Sequence, residues 1–158
     1  MSGVNAAPVS FVCPVSYKPA VLMISLRPIR HTYQNIKENK EFVINILSKK
    51  YYDMILKCAA HYSEGVNKIE IVGLHSFSSE RVKVPRIKEA KVWIECKFLE
   101  EKRIGDHFVI FAEVLVAEAS DDVVTEGEVD LAKLNPILHV AKDKFVSDLK
   151  IVKYKRYN

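Results

Sequence analysis

Hydrophobic and polar residues alternate most clearly in the second half of the chain. From Ala90 to Leu99 every second residue is mostly apolar, and the positions between them carry Trp93, Glu95 and lysines. This is the pattern of a half-buried strand. The run from His107 to Ala117 is rich in valine, isoleucine and phenylalanine, and the turn-like segment 103–106 separates the two. The pattern predicts a long antiparallel hairpin.

Two shorter segments predict further strands. Val21–Leu26 and Glu41–Leu47 both have strand length, and the first is almost wholly apolar, as expected of a strand covered on both faces. Between them, Thr32 is placed to cap a short helix that continues to Lys40.

Helical spacing appears from Lys49 to His61. The stripe consists of Tyr51, Met54, Ile55, Cys58 and Tyr62. We expect loops at 64–68 and 76–81, and a helical turn at 130–134 before Pro136. Short strands, two small helices and no strand–helix–strand rhythm predict a mainly β protein, an antiparallel barrel with inserted helices. We expect one domain over residues 1–158.

Composition narrows the class of protein. A chain of 158 residues can bury roughly two-thirds of its unfolded surface in one core, and 49% hydrophobic with 28% charged residues is typical of a globular fold. The longest apolar run, Ala20–Leu26, is far shorter than the ~20 residues of a membrane span. Because Met1–Pro14 has no basic leader before an apolar stretch, we expect a cytoplasmic protein outside the membrane.

The cysteines and the basic end of the chain suggest no special chemistry. Cys13, Cys58 and Cys96 are odd in number and widely spaced, so we expect buried free thiols and neither a disulfide framework nor a zinc site. The net charge of +4 comes largely from segment 150–157. Lysines interleaved with tyrosines can bind nucleic acid, but a short stretch of this kind is more typical of a solvated edge strand, which we expect here.

Small and polar residues are concentrated at the start of the chain. Asn5 and Ser10 offer an amide and a hydroxyl group, whereas Ala6 and Ala7 would let the backbone approach a flat ring. The combination predicts a surface that can hold a ring-shaped cofactor.

Arg30 and Thr32 stand where the first helix is predicted to begin. Free N–H groups and the helix dipole favour a phosphate at such a position, and a guanidinium can bind it through two hydrogen bonds. A capped surface helix beside a solvated arginine explains the same residues, so the residues alone leave both interpretations open.

The sequence has no motif of a metal site or of a hydrolase. The five histidines are scattered without the spacing of a helical metal site, and no nucleophile has a local base as hydrolases require. The acidic segment 121–128 lacks the spacing of a calcium loop. We therefore expect neither a metal site nor a hydrolase.

Several short motifs follow one another along nearly the whole chain. They are Asn5-Ala6-Ala7-Pro8-Val9-Ser10 followed by Ser16, Arg30-His31-Thr32-Tyr33 followed by Asn35-Ile36, Glu41-Phe42-Val43 followed by Asn45, Pro85 to Ala90 with Glu95-Cys96, and Gly105-Asp106-His107 leading to Glu113-Val114. In this order they resemble the flavin reductase-like, FMN-binding split-barrel family, most closely its flavoredoxin-type members.

The resemblance implies an oxidoreductase of the flavin reductase type. Such a protein is a homodimer with a split-barrel fold that binds FMN, or FAD, without a covalent bond. It passes hydride or electrons from NADH or NADPH through the flavin to an acceptor, which the sequence does not identify. The alternative within the family is an FMN-binding electron carrier without its own nicotinamide site.

The resemblance also implies roles for individual residues. The flavin would be contacted by Asn5, Ala6, Ala7, Ser10, Phe11, Ser16, Arg30, Thr32 and Lys68. Arg30 and Thr32 would hold its phosphate, and Lys68 would approach the pyrimidine end of the ring and stabilise the anionic reduced form. His107 would lie near the ring and the incoming nicotinamide, as the catalytic residue.

Two positions depart from the family pattern. The family usually has a further strand and turn before the asparagine that corresponds to Asn5. Either the barrel lacks its usual first strand or that strand lies upstream of Met1. Asn67 also stands where the family usually has an aspartate before the lysine.

Overall fold

The computed structural model describes residues 4–63, 65–141 and 144–152. The strands are β1 (Val12–Tyr17), β2 (Ala20–Leu26), β3 (Glu41–Leu47), β4 (Ser76–Phe77), β5 (Arg86–Ile87), β6 (Ala90–Ile104), β7 (His107–Ala119), β8 (Val124–Thr125), β9 (Glu128–Val129), β10 (Leu138–Ala141) and β11 (Lys144–Val146). The helices are α1 (His31–Asn39), α2 (Tyr52–Cys58), α3 (Lys68–Ile71) and α4 (Leu131–Leu134). The predicted mainly β architecture is confirmed.

Five strands form the main sheet in the order β1-β2-β7-β6-β3. Every neighbouring pair is antiparallel. The long hairpin of β6 and β7 lies at the centre and pairs from Val92 with Ala119 to Ile104 with His107. This hairpin and the strands β2 and β3 were all predicted from the pattern, and β3 has the predicted bounds.

One hydrophobic core lies between this sheet and α1. Alternate residues of β2 are buried, and they pack with Tyr33 and Ile36 of the helix. The helix buries these two residues because they are three positions apart and therefore share a face. Ile110 of β7 is completely buried in the same cluster.

A second core covers the part of β6 that the pattern predicts to be half-buried. Trp93 is 9% exposed and packs with Ile69, Val72 and Leu74. Its indole Nε1 donates a hydrogen bond to the carbonyl of Ile87 at 2.8 Å. The prediction of one open face is wrong at this point, because α3 and the segment after it pack on the Trp93 side of the strand.

Glu95 of β6 is fully buried and tied to the segment before β5. Its carboxylate accepts hydrogen bonds from the backbone N–H groups of Glu80 at 2.9 Å and Arg81 at 2.7 Å. The Arg86 side chain, also buried, donates from Nε at 2.7 Å. Arg86 also donates to Glu118 of β7 at 2.7 Å. Three hydrogen bonds thus satisfy the buried Glu95 carboxylate, as its burial requires.

The helix starts differ from those predicted. Arg30, not Thr32, is the N-cap residue of α1, and no side chain caps this helix. Thr32 lies within the first turn. Lys68 was predicted to be in a loop, but it begins α3, where the Asn67 side chain accepts a hydrogen bond from the backbone N–H of Glu70 at 3.5 Å. Asparagine is a good N-cap, so the loop ends one residue earlier than the polar pattern suggested.

Smaller predictions have mixed outcomes. The helix α2 ends at Cys58 rather than at residue 61, and the loop predicted at 76–81 begins with β4. The turn at 130–134 is confirmed as α4, capped by the Asp130 side chain. Cys58 and Cys96 are buried free thiols as predicted, whereas Cys13 is exposed on the edge strand β1.

The predicted basic edge strand falls mostly on residues 153–157, which lie outside the described residues; residues 150–152 form no strand. In the parts of the chain that the structure describes, no helix has the length and apolarity needed to cross a membrane.

We expect Glu95→Ala to lower the free energy of unfolding by about 3 to 5 kcal/mol at neutral pH, because it leaves a buried guanidinium without its main partner. Burial alone would raise the pKa of Glu95, but the N–H groups of Glu80 and Arg81 and the Arg86 guanidinium lower it overall. The contribution is therefore complete above the ordinary glutamate value of 4.5. It is lost as the pH falls through the lower pKa of the folded state.

Urea denaturation of Glu95→Ala and Glu118→Ala between acidic and neutral pH measures this effect. The matched variant removes the half-exposed partner of Arg86 and should cost about 1 kcal/mol or less. Equal losses in the two variants would contradict the assignment.

Candidate functional site

Hydrogen bonds tie the segment 4–11 to other parts of the fold. The backbone N–H of Lys68 donates to the carbonyl of Val4 at 2.9 Å. The Asn5 side chain donates from Nδ2 to Thr32 Oγ1 at 2.9 Å, and Ser25 of β2 donates from its backbone to the Phe11 carbonyl at 3.0 Å. The segment is therefore attached to α3, α1 and β2 in turn.

A first cavity of about 360 Å³ opens on one side of this segment. Its lining is Ala7, Pro8, Val9, Ser10, Phe11, Ser25, Leu26, Arg27, Arg30, Thr32, Ala59, His107 and His139. The lining combines small and apolar residues with two arginines, two histidines and three hydroxyl-bearing residues. A concave site with both kinds of group can bind a small molecule in a fixed orientation.

A second cavity of about 190 Å³ adjoins it. Its lining is Asn5, Ala7, Ile29, Arg30, His31, Thr32, Cys58, Ala59, Ala60, His61, Tyr62 and Lys68. Ala7, Arg30, Thr32 and Ala59 belong to both linings. The two cavities are therefore neighbours that share part of their lining.

The second cavity has a positive character. Lys68 is 8% exposed, and its Nζ donates to the Cys58 carbonyl at 3.2 Å and lies 5.3 Å from the centre of the Tyr62 ring. Burial lowers the pKa of Lys68; the nearby Cys58 thiol opposes this shift and the Arg30 charge adds to it. In the described parts of the chain, no carboxylate pairs with this ammonium. An anionic ligand would supply the missing counter-charge.

Two histidines lie close together in the second cavity. The rings of His31 and His61 have their centres 5.4 Å apart, and both residues line the second cavity. His31 is the first residue of α1, where backbone N–H groups lack partners within the helix.

His107 lies in the first cavity, at the start of β7. Its Nδ1 is 2.8 Å from Asp106 Oδ1, and its ring centre is 5.9 Å from that of Phe11. The hydrogen bond to His107 lowers the pKa of Asp106, and the Arg27 charge contributes in the same direction. Because Asp106 takes Nδ1, the atom that His107 can offer to a ligand is Nε2.

His139 is a site residue that the sequence did not reveal. Its Nδ1 is hydrogen-bonded to Ser10 Oγ at 2.7 Å, and its ring packs 4.9 Å from that of Phe145. The two bonded residues are 129 positions apart, and neither belongs to a motif that includes the other. Only the placement of β10 beside the segment 4–11 brings them together.

Most of the residues predicted to contact the flavin do converge. The following line one cavity or both: Asn5, Ala7, Ser10, Phe11, Arg30, Thr32, Lys68 and His107. Two predicted residues do not. Ala6 packs against the second core, and Ser16 pairs with Val21 in the β1–β2 hairpin. Lys68 and His107 line different cavities.

The sequence also missed Arg27, His31, Ala59, His61 and Tyr62, which line these cavities. His31 lay inside a recognised motif, so its position beside Thr32 was a usable signal. No group of three or more His, Cys, Asp and Glu side chains in residues 4–63, 65–141 and 144–152 is placed to hold a metal ion.

A family model and several known proteins match this chain. A family model described as "Flavin reductase like domain" matches residues 2–144. An uncharacterized protein of Aquifex aeolicus is 37% identical over 139 residues, which is 84% of this chain and 71% of that protein.

Two solved structures show how widely the fold is shared. A Shewanella frigidimarina protein with a split barrel domain superposes with a TM-score of 0.88 at 20% identity, covering 99% of this chain and 83% of that one. The flavoredoxin of Desulfovibrio vulgaris gives a TM-score of 0.87 at 19% identity, covering 97% and 86%. The predicted split-barrel fold is confirmed.

The buried Lys68 predicts an unusual pH dependence of stability. Because its pKa is lowered on folding, the unfolded chain holds a proton there that the native state releases first. The stability of the ligand-free protein relative to Lys68→Met should therefore rise as the pH increases towards 10.5, the ordinary lysine value. Denaturant unfolding of both proteins from neutral to alkaline pH measures the difference, and parallel curves would contradict it.

Proposed function

The chain belongs to the flavin reductase-like domain family, and we propose that it binds FMN across the two cavities and passes electrons from NADH or NADPH to an acceptor. The observation that carries the proposal is the buried Lys68 ammonium beside Arg30. Among the described residues no carboxylate pairs with this ammonium, and this favours an anionic ligand.

The second cavity fits the phosphate of the flavin. Arg30 can donate two parallel hydrogen bonds to a phosphate, and Lys68 acts as a point charge from the buried side. Thr32 adds a hydroxyl group whose acceptor role is already taken by Asn5 at 2.9 Å, so its proton remains available for a phosphate oxygen. This placement assigns Lys68 to the phosphate rather than to the pyrimidine end of the ring.

The first cavity fits the flat ring. Ala7 and Ala59 keep the backbone accessible, and Phe11 and Leu26 supply apolar contact. FAD shares the ring and the first phosphate, and its further part would extend beyond the second cavity.

A bound flavin would supply the hydride chemistry, and the protein supplies position and electrostatics. Asp106 accepts the Nδ1 proton of His107 at 2.8 Å and so fixes the orientation of the imidazole. We assign Nε2 of His107 to hold the nicotinamide against the ring in the first cavity.

The exposed side chains of the edge strand favour a homodimer. In β1, Val15 is 46% exposed and Tyr17 is 89% exposed, and this strand has a free edge in the sheet as described. Large apolar side chains on an unpaired edge are normally covered by a partner. We therefore include a second copy of this chain in the proposal.

The first test is the affinity for FMN compared with riboflavin, which lacks the phosphate. Arg30→Gln and Lys68→Met should each weaken FMN by about tenfold or more, since each removes a charge-assisted contact. Neither should change riboflavin binding comparably. Quenching of flavin fluorescence measures both affinities. Arg81→Gln, an exposed arginine outside both cavities, is the control, and equal effects on the two flavins would contradict the assignment.

The second test concerns the electron donor. When NADH or NADPH is mixed with the FMN-loaded protein without oxygen, the flavin absorbance should bleach. His107→Gln should slow this by about tenfold or more, because the donor loses its positioning contact, while FMN affinity changes much less. Stopped-flow absorbance gives the rate. Bleaching that needs an added reductase would identify an electron carrier instead.

A further inference from the structure

His31 and His61 form a pair at the second cavity, and neither belongs to the set of residues assigned above to the flavin. Their ring centres are 5.4 Å apart with an angle of 53° between the planes. They come from different parts of the chain: His31 begins α1, and His61 follows the end of α2 by three residues. Both side chains are exposed, so protons can reach them.

The titratable groups that line the second cavity with this pair, among the described residues, are either cationic or neutral. The described residues of the lining contribute Arg30 and Lys68 as charges, and the Cys58 thiol and Tyr62 phenol as further titratable groups. Burial raises the pKa of the Cys58 thiol, and the Lys68 charge opposes this shift. No carboxylate occurs in the described lining.

Two imidazolium charges at the separation of this pair would repel each other. A second positive charge about 5 Å from the first costs free energy, and Arg30 and Lys68 add to the repulsion. A phosphate monoester carries a charge of about −1.5 to −2 near neutral pH. It would offset this repulsion, so its binding would favour proton uptake by the pair.

We propose that His31 and His61 form a proton-dependent clamp on the phosphate monoester of the flavin. The inference rests on the proposed function, because it takes the second cavity as the phosphate end. When protonated, each imidazole donates an N–H hydrogen bond to a phosphate oxygen and adds a positive charge. The clamp makes the protein select phosphorylated flavins, and it does so more strongly as the pH falls through the range in which histidines titrate.

The experiment compares FMN affinity in the wild type and in His31→Gln/His61→Gln from about pH 6 to about pH 8. We expect the wild type to bind FMN about tenfold more tightly than the variant at the acidic end, and within about twofold at the alkaline end. The phosphate has its own second pKa of about 6. That titration affects both proteins equally, so the ratio of affinities isolates the histidines.

Further measurements make the outcome specific. His75→Gln removes an exposed histidine that lines neither cavity and should leave FMN binding unchanged. Riboflavin should show no pH-dependent ratio. Calorimetry in two buffers of different ionisation enthalpy should detect more protons taken up by the wild type on FMN binding than by the variant. Circular dichroism verifies that the variant is folded, and the single variant His61→Gln should show an intermediate effect.

A ratio that does not change with pH, or the same ratio for riboflavin, would overturn this inference and leave the proposed function intact. Failure of the wild type to bind FMN at any pH would overturn the proposed function, and the clamp with it.

Discussion

The Lys68 ammonium is buried at the start of α3 without a paired carboxylate in the described residues, and the site depends on this constraint. Removing an ammonium from water is costly unless other charges compensate. The protein compensates Glu95 with two backbone N–H donors and the Arg86 guanidinium. Among the described residues, Lys68 contacts a carbonyl oxygen and an aromatic ring but no carboxylate. The first of these buried charges stabilises the fold, and the second is the basis of the proposed anion site.

The fold explains why the charge sits there. The central hairpin of β6 and β7 supports α1 on one core and α3 on the other, so the starts of both helices approach the segment 4–11. Asn5 bonds to Thr32 of α1, and Val4 bonds to Lys68 of α3. The same segment therefore lines both cavities and is bonded to two of the residues in their linings. A change in this segment would disturb both cavities at once.

The sequence predicted much of this, and its errors have physical causes. The local pattern identified the hairpin and β3, because alternation and short apolar runs depend only on neighbouring residues. It failed at Trp93 and Glu95, because what covers that face comes from segments far away in the chain. Eight residues that the motif order identified line the cavities, and their roles stay predictions. The contacts of Ser10 with His139 and of His31 with His61 exist only in the folded chain.

A crystal structure of the protein with FMN would show which end of the flavin lies in which cavity. We expect the flavin ring to lie against Ala7 and Phe11 in the first cavity. Phosphate oxygens should lie within about 3 Å of Lys68 Nζ and the Arg30 guanidinium in the second. A flavin bound the other way round, with its ring against Lys68 and its phosphate beside His107, would show that the proposed orientation is wrong.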